Sequence, residues 1–216
     1  MFKKSALIFG ASSEIGQWII ESLYQQRTYP VLLSRHDSDF QINFSDYYDV
    51  LKILQYYVAK HSDITSVYFC IGKYTRSELC TSSPYQWMDD ISVNLGYAYI
   101  CYRALCEVFK DSTSEIRLVF LGSTASISRP SEFSSYVVSK SALEVLINYI
   151  NNELPENFRA CCLRLGTCNT RFSNSQSNTH TIQADDIIQT VHFLETISFH
   201  AFPDLISLRP IRSMEK

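Results

Sequence analysis

Glycine is scarce in this sequence: six residues in 216, well under the usual share of roughly 7%. The fold makes nearly all its turns without glycine, so each of the six positions is informative. Basic blocks are also missing. The chain carries 19 basic and 22 acidic residues for a net charge of −3, and its longest Lys/Arg run is Lys3-Lys4, which excludes the footprint of a nucleic-acid or acidic-membrane binder. The apolar segment after it, Ala6-Leu7-Ile8-Phe9, falls short of the roughly 7–15 residues of a secretion signal and is soon followed by Glu14. A mature N-terminus and a cytoplasmic location are therefore expected. The most apolar long window, Ile91 to Phe109, is interrupted by Asn94, Arg103 and Glu107, so no membrane span is expected. The seven cysteines show no CxxC spacing and lie mostly in apolar runs (Cys70, Cys101, Cys161, Cys162), which predicts buried reduced thiols. The five histidines, His36, His61, His180, His192 and His200, have no paired ligand spacing, and no metal site is expected.

What remains is ordinary globular composition, 46% apolar and 19% charged, without repeats, low-complexity tracts or linkers, so residues 1–216 are read as one domain. Short apolar runs alternate with helical periodicity. Ser5 to Phe9 reads as a strand ending at Gly10, and Ile15 to Gln26 as a helix through Ile15, Ile19 and Leu23. Pro30 to Ser34 is the second strand, Tyr47 to His61 an amphipathic helix and Val67 to Ile71 a strand. Tyr85 to Lys110 reads as one long helix, Arg117 to Leu121 as a strand, Tyr136 to Glu153 as a helix and Ala160 to Leu165 as a strand. A helix over Asp185 to Phe199 and a strand over Leu205 to Leu208 close the chain. The alternation predicts an α/β fold, a doubly wound parallel sheet covered on both faces. One connection is anomalous. From Ser34 to a strand expected around Phe40–Phe44 there are about five residues, whereas a parallel crossover takes a dozen or more, so that strand is vestigial or its helix has been lost.

Two constellations carry chemistry. Gly10-Ala11-Ser12-Ser13-Glu14-Ile15-Gly16 joins the first strand to the first helix, where a glycine turn and a helix N-terminus suit a pyrophosphate, although an ordinary strand–helix turn would read the same way. Tyr136 and Lys140, four apart at the start of a helix, place a phenol and an ammonium on one face, where the ammonium can lower the phenol's pKa. With 14 tyrosines chance supplies such pairs, and Tyr48 with Lys52 and Tyr56 with Lys60 are read as solvated pairs. Tyr136 differs by having Ser123 thirteen residues upstream, at the C-terminal end of a strand, the edge where open α/β sheets bind ligands.

These residues resemble the short-chain dehydrogenase/reductases of the compact, single-domain kind over nearly the whole chain. The family's GxxxGxG turn is matched by Gly10 and Gly16, with Glu14 in place of the middle glycine, and Ser12, Ser13 and Ile15 fall inside it. Its catalytic Asn, Ser, Tyr and Lys fall on Asn94, Ser123, Tyr136 and Lys140. Its proline-glycine motif and following threonine fall on Gly166 and Thr170, with Leu165 for proline. Its Asn-Ala-Gly is reduced to Cys70-Ile71-Gly72, and Asn43 stands where the family often keeps an adenine-contacting Asp. The resemblance implies that Tyr136 exchanges a proton with a carbonyl or hydroxyl oxygen as hydride moves to or from a nicotinamide. It implies that Lys140 holds the ribose and depresses the Tyr136 pKa, that Ser123 polarises the substrate oxygen, and that Asn94 positions a relay water.

At the end of the second strand, Ser34 and Arg35 favour NADP(H), while Asp37 on the same loop is the rival contact for the ribose of NAD(H). The implied function is an NADP(H)-dependent oxidoreductase acting on a ketone or secondary alcohol. The alternative is a dinucleotide-binding sensor or subunit without turnover, favoured by Glu14 and Cys70-Ile71. An epimerase or dehydratase of the larger relatives lacks room in 216 residues. Between Thr170 and Asp185 the segment Arg171 to Ala184 is short and polar, which suits an open site for a carrier-linked or bulky substrate, or ordering on binding. Leu143, Leu146, Ile147 and Ile150 give the helix after Tyr136 apolar surface that serves a homodimer or simple core packing. The Asp185-Asp186 pair is read as a helix start rather than as catalytic carboxylates.

Overall fold

The computed structural model describes residues 2–35, 42–153, 156–173 and 180–211. Six strands, β1 (Lys4–Phe9), β2 (Thr28–Leu33), β3 (Ile64–Phe69), β4 (Ile116–Ser123), β5 (Phe158–Leu165) and β6 (Leu205–Leu208), form one parallel sheet in the order β2-β1-β3-β4-β5-β6. The helices between them are α1 (Glu14–Gln25), α2 (Tyr47–Lys60), α3 (Pro84–Ile91), α4 (Tyr97–Val108), the short α5 (Ala125–Ser128), α6 (Ser134–Glu153) and α7 (Ala184–Thr196). Because strand residues alternate faces, β1 sends Ala6 and Ile8 to the layer of α1 and α7, and Leu7 and Phe9 to the layer of α2, α4 and α6. Across the second layer Phe9, Phe69 and Phe120 stack, with centroids 5.3 and 4.0 Å apart. Such offset ring pairs contribute beyond their buried area.

The chain winds from β1 to β2 on one side and resumes at β3 on the other, so strand order reverses between β1 and β3. A crevice opens at the carboxyl ends of strands at such a switch point. Gly10 lies at its lip with φ +82°, and a Cβ there would meet Cys70 C and Ile71 N at 2.9 Å. A left-handed backbone and a crowded approach both require glycine at this position.

Three expectations are revised. No strand forms over residues 42–44, and residues 36–41, which include His36, Asp37 and Phe40, lie outside the described residues. Asn43 instead closes a turn, its side-chain oxygen accepting from Ser45 N at 3.2 Å and Ser45 Oγ at 2.6 Å. Asp46 then caps α2 by accepting from Tyr48 N at 2.9 Å. The short connection spends its residues on starting α2, and Ile42 and Phe44 are buried as plugs in place of a strand, Phe44 edge-on to Phe9 at 6.1 Å. The long helix expected over Tyr85 to Lys110 is divided by a π-helical segment, Ser92–Gly96. The last helix ends at Thr196, with a separate 3-10 turn at Phe199–Ala201. Asp186 does start α7, accepting from Gln183 N at 2.8 Å in a capping box. The cysteines are free, and those expected to be buried are buried.

Because Phe44 plugs the core against Phe9 of β1 and Tyr97 of α4, Phe44→Ala is expected to cost about 3 kcal/mol. Urea unfolding checks this as a lower midpoint with an unchanged slope.

Candidate active site

A cleft of about 330 Å³ opens along the carboxyl edge of the sheet, within the size range of small-molecule sites. It is lined by Ser13, Glu14 and Ile15 of the first turn, by Gly72, Ser123, Tyr136 and Lys140, and by Gly166 and Thr170. Of the four residues expected to act together, Ser123, Tyr136 and Lys140 line the cleft, brought there by β4 and α6, while Asn94 of the π segment is buried behind Gly72 and does not line it.

The turn from Gly10 to Gly16 is held by its own side chains. Ser13 caps α1 by accepting from Gly16 N at 3.0 Å, and a Cβ on Gly16 would strike Gly10 O and Ser13 Oγ at 2.9 Å. Ser12 is exposed and does not line the cleft. Glu14, which lines the cleft, reaches across to another part of the chain: its Oε2 accepts from Arg171 N at 2.9 Å and its Oε1 lies 3.6 Å from Arg171 Nε. The guanidinium is exposed, so this ion pair is weak, and the backbone hydrogen bond is the firmer tie.

Asn94 is buried in the π-helical segment, a distortion often met where a side chain must be re-aimed for function. Its Oδ1 accepts from Lys73 N at 2.9 Å, and its Nδ2 donates to Lys73 O at 2.7 Å and to Ser139 Oγ at 3.1 Å. One amide proton thereby holds the loop after β3 and the other reaches Ser139 on α6. Asp90, fully buried one turn earlier, accepts from Thr75 N and Thr75 Oγ1 at 3.0 Å and from Ser135 Oγ at 2.6 Å. Ser123, at the end of β4, accepts from Ala125 N at 3.2 Å, and Tyr136 is hydrogen-bonded to it.

Burial pushes the Tyr136 phenol above its ordinary value, and the hydrogen bond with Ser123 opposes the rise. Lys140 does not contribute to lowering it here. Its ammonium sits 5.8 Å from the Tyr136 ring centroid and donates to Leu121 O at 2.8 Å. Burial lowers Lys140 to about 8, so the ammonium is held charged at neutral pH at a desolvation cost. The contrast with Tyr56 and Lys60 is direct: there the same spacing gives an exposed amine hydrogen-bonded to the phenol, as expected of a solvated pair. Gly72 packs against this floor, where a Cβ would lie 3.8 Å from Lys140 Nζ and 3.5 Å from Asn94 Oδ1.

Gly166 is forced by packing, since a Cβ would meet Pro210 Cδ at 2.6 Å, and Thr170 is buried beside it. Ser34 is buried and Arg35 exposed at the end of β2, outside the cleft lining. Asn43 belongs to the turn before α2 and does not line the cleft. The cleft also contains residues that sequence reading did not single out: Tyr74, Phe133 and Phe172, whose rings gather around Tyr136. Tyr74 lies 5.4 Å from Phe133, 4.8 Å from Phe172 and 6.1 Å from Tyr136. They arrive on three separate connections, so no periodicity or spacing announces them.

The donors present fit a dinucleotide. A helix N-terminus suits a pyrophosphate, a buried ammonium suits ribose hydroxyls, and the long cleft joins the two. Glu14 is the one residue whose charge runs against that fit. Among the described residues no group of three or more His, Cys, Asp or Glu could hold a metal ion, and no helix is long and apolar enough to cross a membrane.

The family profile for short chain dehydrogenase matches residues 4–181, and the chain belongs to that family of oxidoreductases. No curated protein matches the chain. Among solved structures it is similar to an alcohol dehydrogenase of the archaeon Thermococcus sibiricus complexed with 5-hydroxy-NADP, at 21% identity and TM-score 0.82 over 96% of this chain and 97% of that one. It is similar as well to ElxO with NADP bound, at 15% identity and TM-score 0.84 over 95% and 97%. A third likeness is to the 3-ketoacyl-(acyl-carrier-protein) reductase of Brucella melitensis complexed with NADH, at 16% identity and TM-score 0.85 over 96% and 97%. At these identities the likenesses establish the fold.

The lowered Lys140 makes a stability prediction. Below pH 8 folded and unfolded chains both hold the proton and the burial cost is constant. Between about 8 and the ordinary lysine value of 10.5 the unfolded chain retains a proton that the folded chain has released, so stability rises with pH across that window. Denaturation midpoints of wild type minus Lys140→Met are expected to increase over this range and to be flat below it.

Proposed function

We propose that the protein is an NADP(H)-dependent oxidoreductase that interconverts a ketone and a secondary alcohol, with Tyr136 as the acid/base. The observation that carries this reading is the Tyr136 phenol held on Ser123 beside the buried Lys140 ammonium at the switch-point cleft. Two of the similar structures are described with NADP or its 5-hydroxy derivative, which supports the same choice.

In this reading the turn from Gly10 to Gly16, with Ser13 and Ile15, holds the pyrophosphate at the α1 N-terminus. Ser34 and Arg35 meet the adenosine ribose, where an arginine accommodates the 2′-phosphate. Lys140 binds the nicotinamide ribose hydroxyls, and Gly72, Gly166 and Thr170 shape the nicotinamide end. The bound nicotinamide supplies or accepts the hydride. Ser123 donates a hydrogen bond to the substrate oxygen and polarises the carbonyl. Tyr136 gives that oxygen its proton in reduction and takes it back in oxidation. Asn94 acts as a positioning residue, since its amide holds the Lys73 backbone beside the reacting groups.

The protein is further proposed to act in the cytoplasm as a homodimer through the face between the π segment and α6. That face presents a groove lined by Leu95, Tyr99, Val145 and Tyr149, of which Tyr99, Val145 and Tyr149 are exposed. The rival reading, a sensor that binds dinucleotide without turnover, draws on the carboxylate of Glu14 in the phosphate turn.

Tyr136→Phe is expected to lower kcat by about a thousandfold with NADPH binding retained, as read by nicotinamide fluorescence. A near-native rate would remove the mechanism, and wild-type NADPH binding without turnover of any carbonyl would favour the sensor. Arg35→Ala is expected to weaken NADPH binding about tenfold and to leave NADH binding unchanged in the same titration.

A further inference from the structure

The cleft beside Tyr136 is built as well as lined. Tyr74 has both chain neighbours fixed, Lys73 by the Asn94 amide at 2.9 and 2.7 Å and Thr75 by the buried Asp90 carboxylate at 3.0 Å. Phe133 is fixed to the same loop, since Ser77 N donates to Glu132 O at 2.8 Å. Phe172 also has both neighbours fixed. Glu14 accepts from Arg171 N at 2.9 Å, and Ser173 Oγ donates to Thr170 O at 2.9 Å. Two rings are therefore held beside the Tyr136 phenol, Tyr74 at 6.1 Å and Phe172 at 6.3 Å between centroids, and Phe133 backs Tyr74 at 5.4 Å.

The charged side chains among the described residues of this cleft are Glu14 and Lys140. Glu14 is engaged with Arg171, and Lys140 is buried at the floor with Leu121 O as its acceptor. The walls near Tyr136 continue with Pro130 and Ala125. Such a surface offers ring faces, ring edges and hydroxyls, and among the described residues no cationic side chain other than the buried Lys140 to pair with a substrate carboxylate or phosphate.

Resting on the oxidoreductase reading above, we infer that the substrate is an uncharged planar carbonyl compound, an aryl or conjugated cyclic ketone, whose ring packs against Tyr74 and Phe172. Glu14 is a positioning residue in this arrangement. From the place of a family glycine in the phosphate turn it anchors Arg171 N–H, and thereby sets Phe172 over Tyr136. The lost glycine thus joins the cofactor turn to the substrate wall.

The test compares acetophenone with cyclohexyl methyl ketone, which share a heavy-atom skeleton and differ in planarity and π character. With NADPH, the wild type is expected to favour acetophenone in kcat/KM by about tenfold, the worth of one or two well-placed aromatic contacts. The same preference is expected in binding to the NADP⁺-saturated protein by ligand-observed NMR, which needs no turnover. Phe172→Leu keeps an apolar side chain and is expected to bring the preference close to one. Glu14→Ala is expected to lower the preference while tightening NADPH binding, because a carboxylate leaves the pyrophosphate site, and a general loss of folding could not produce that opposite movement. Equal handling of the two ketones by the wild type overturns the inference and leaves the oxidoreductase reading standing. So does an unchanged preference in Phe172→Leu. Aryl preference in binding, coupled with a near-native rate in Tyr136→Phe, keeps the inference and removes the mechanism instead. Failure of both ketones to react or bind overturns the inference as well.

Discussion

The site depends on a single buried amide. Asn94 meets the N–H and the carbonyl of Lys73 with the two ends of one side chain, so it substitutes for a backbone neighbour at the point where β3 has left the sheet. A buried loop backbone without such a partner would carry unsatisfied polar groups. The third contact, to Ser139 on α6, ties the clamp to the helix that carries Tyr136 and Lys140. One residue therefore ties the loop after β3 to the helix that carries the Tyr136 phenol. The π-helical widening at Ser92–Gly96 belongs to this arrangement, because it places Asn94 on the inner side of a segment whose neighbours Ile91 and Ser92 remain partly or fully outside.

Around that clamp the charges are arranged by burial more than by pairing. The Lys140 ammonium has a carbonyl for its partner and no carboxylate within the cleft. Burial makes it easier to deprotonate than a surface lysine. The carboxylate that the cleft does contain, Glu14, is drawn aside by Arg171. Beside the cleft, Glu144 of α6 joins Arg164 of β5 through two contacts of 2.9 and 2.6 Å and accepts from Ser126 Oγ at 2.7 Å. Ser126 also donates to Ser123 O, so the turn that presents Ser123 is braced from beneath. Hydrogen bonds of this charged, two-pronged kind give geometric definition beyond their energy.

Much of this was legible in the sequence, and the illegible parts share a cause. Alternating apolar runs and helical periods located every strand of the sheet and nearly every helix, because buried parallel strands and amphipathic helices write their environment into local composition. Tyr136 stood out from Tyr48 and Tyr56 through Ser123, a relation along the chain. Glu14 was visible as an oddity, yet its partner Arg171 lies 157 residues away and nothing local links them. Tyr74, Phe133 and Phe172 stayed hidden for the same reason, being single aromatics in three loops of a chain with 27 Phe and Tyr residues, 13 and 14 respectively. The π segment left no trace because helix and π-helix bury the same residue types. The strand expected near Phe40–Phe44 misled because Ile42 and Phe44 are buried as a strand's residues would be, while the turn chemistry of Asn43 and Asp46 took the backbone elsewhere.

The shortened connection after β2 has an effect beyond the core. It leaves β2 at the margin of the sheet among the described residues, and an open margin is a template on which another chain can add. The backbone parity shows how that is blunted. Lys3 N donates to Arg27 O and Gly10 N to Leu33 O, so the odd-numbered residues of β2 address β1 and the even-numbered ones address the open side. Pro30 is even-numbered, and its missing N–H falls in the middle of the unpaired row. A residue that would have broken a ladder in a sheet with one more strand becomes, in this shorter one, a stop against filament growth.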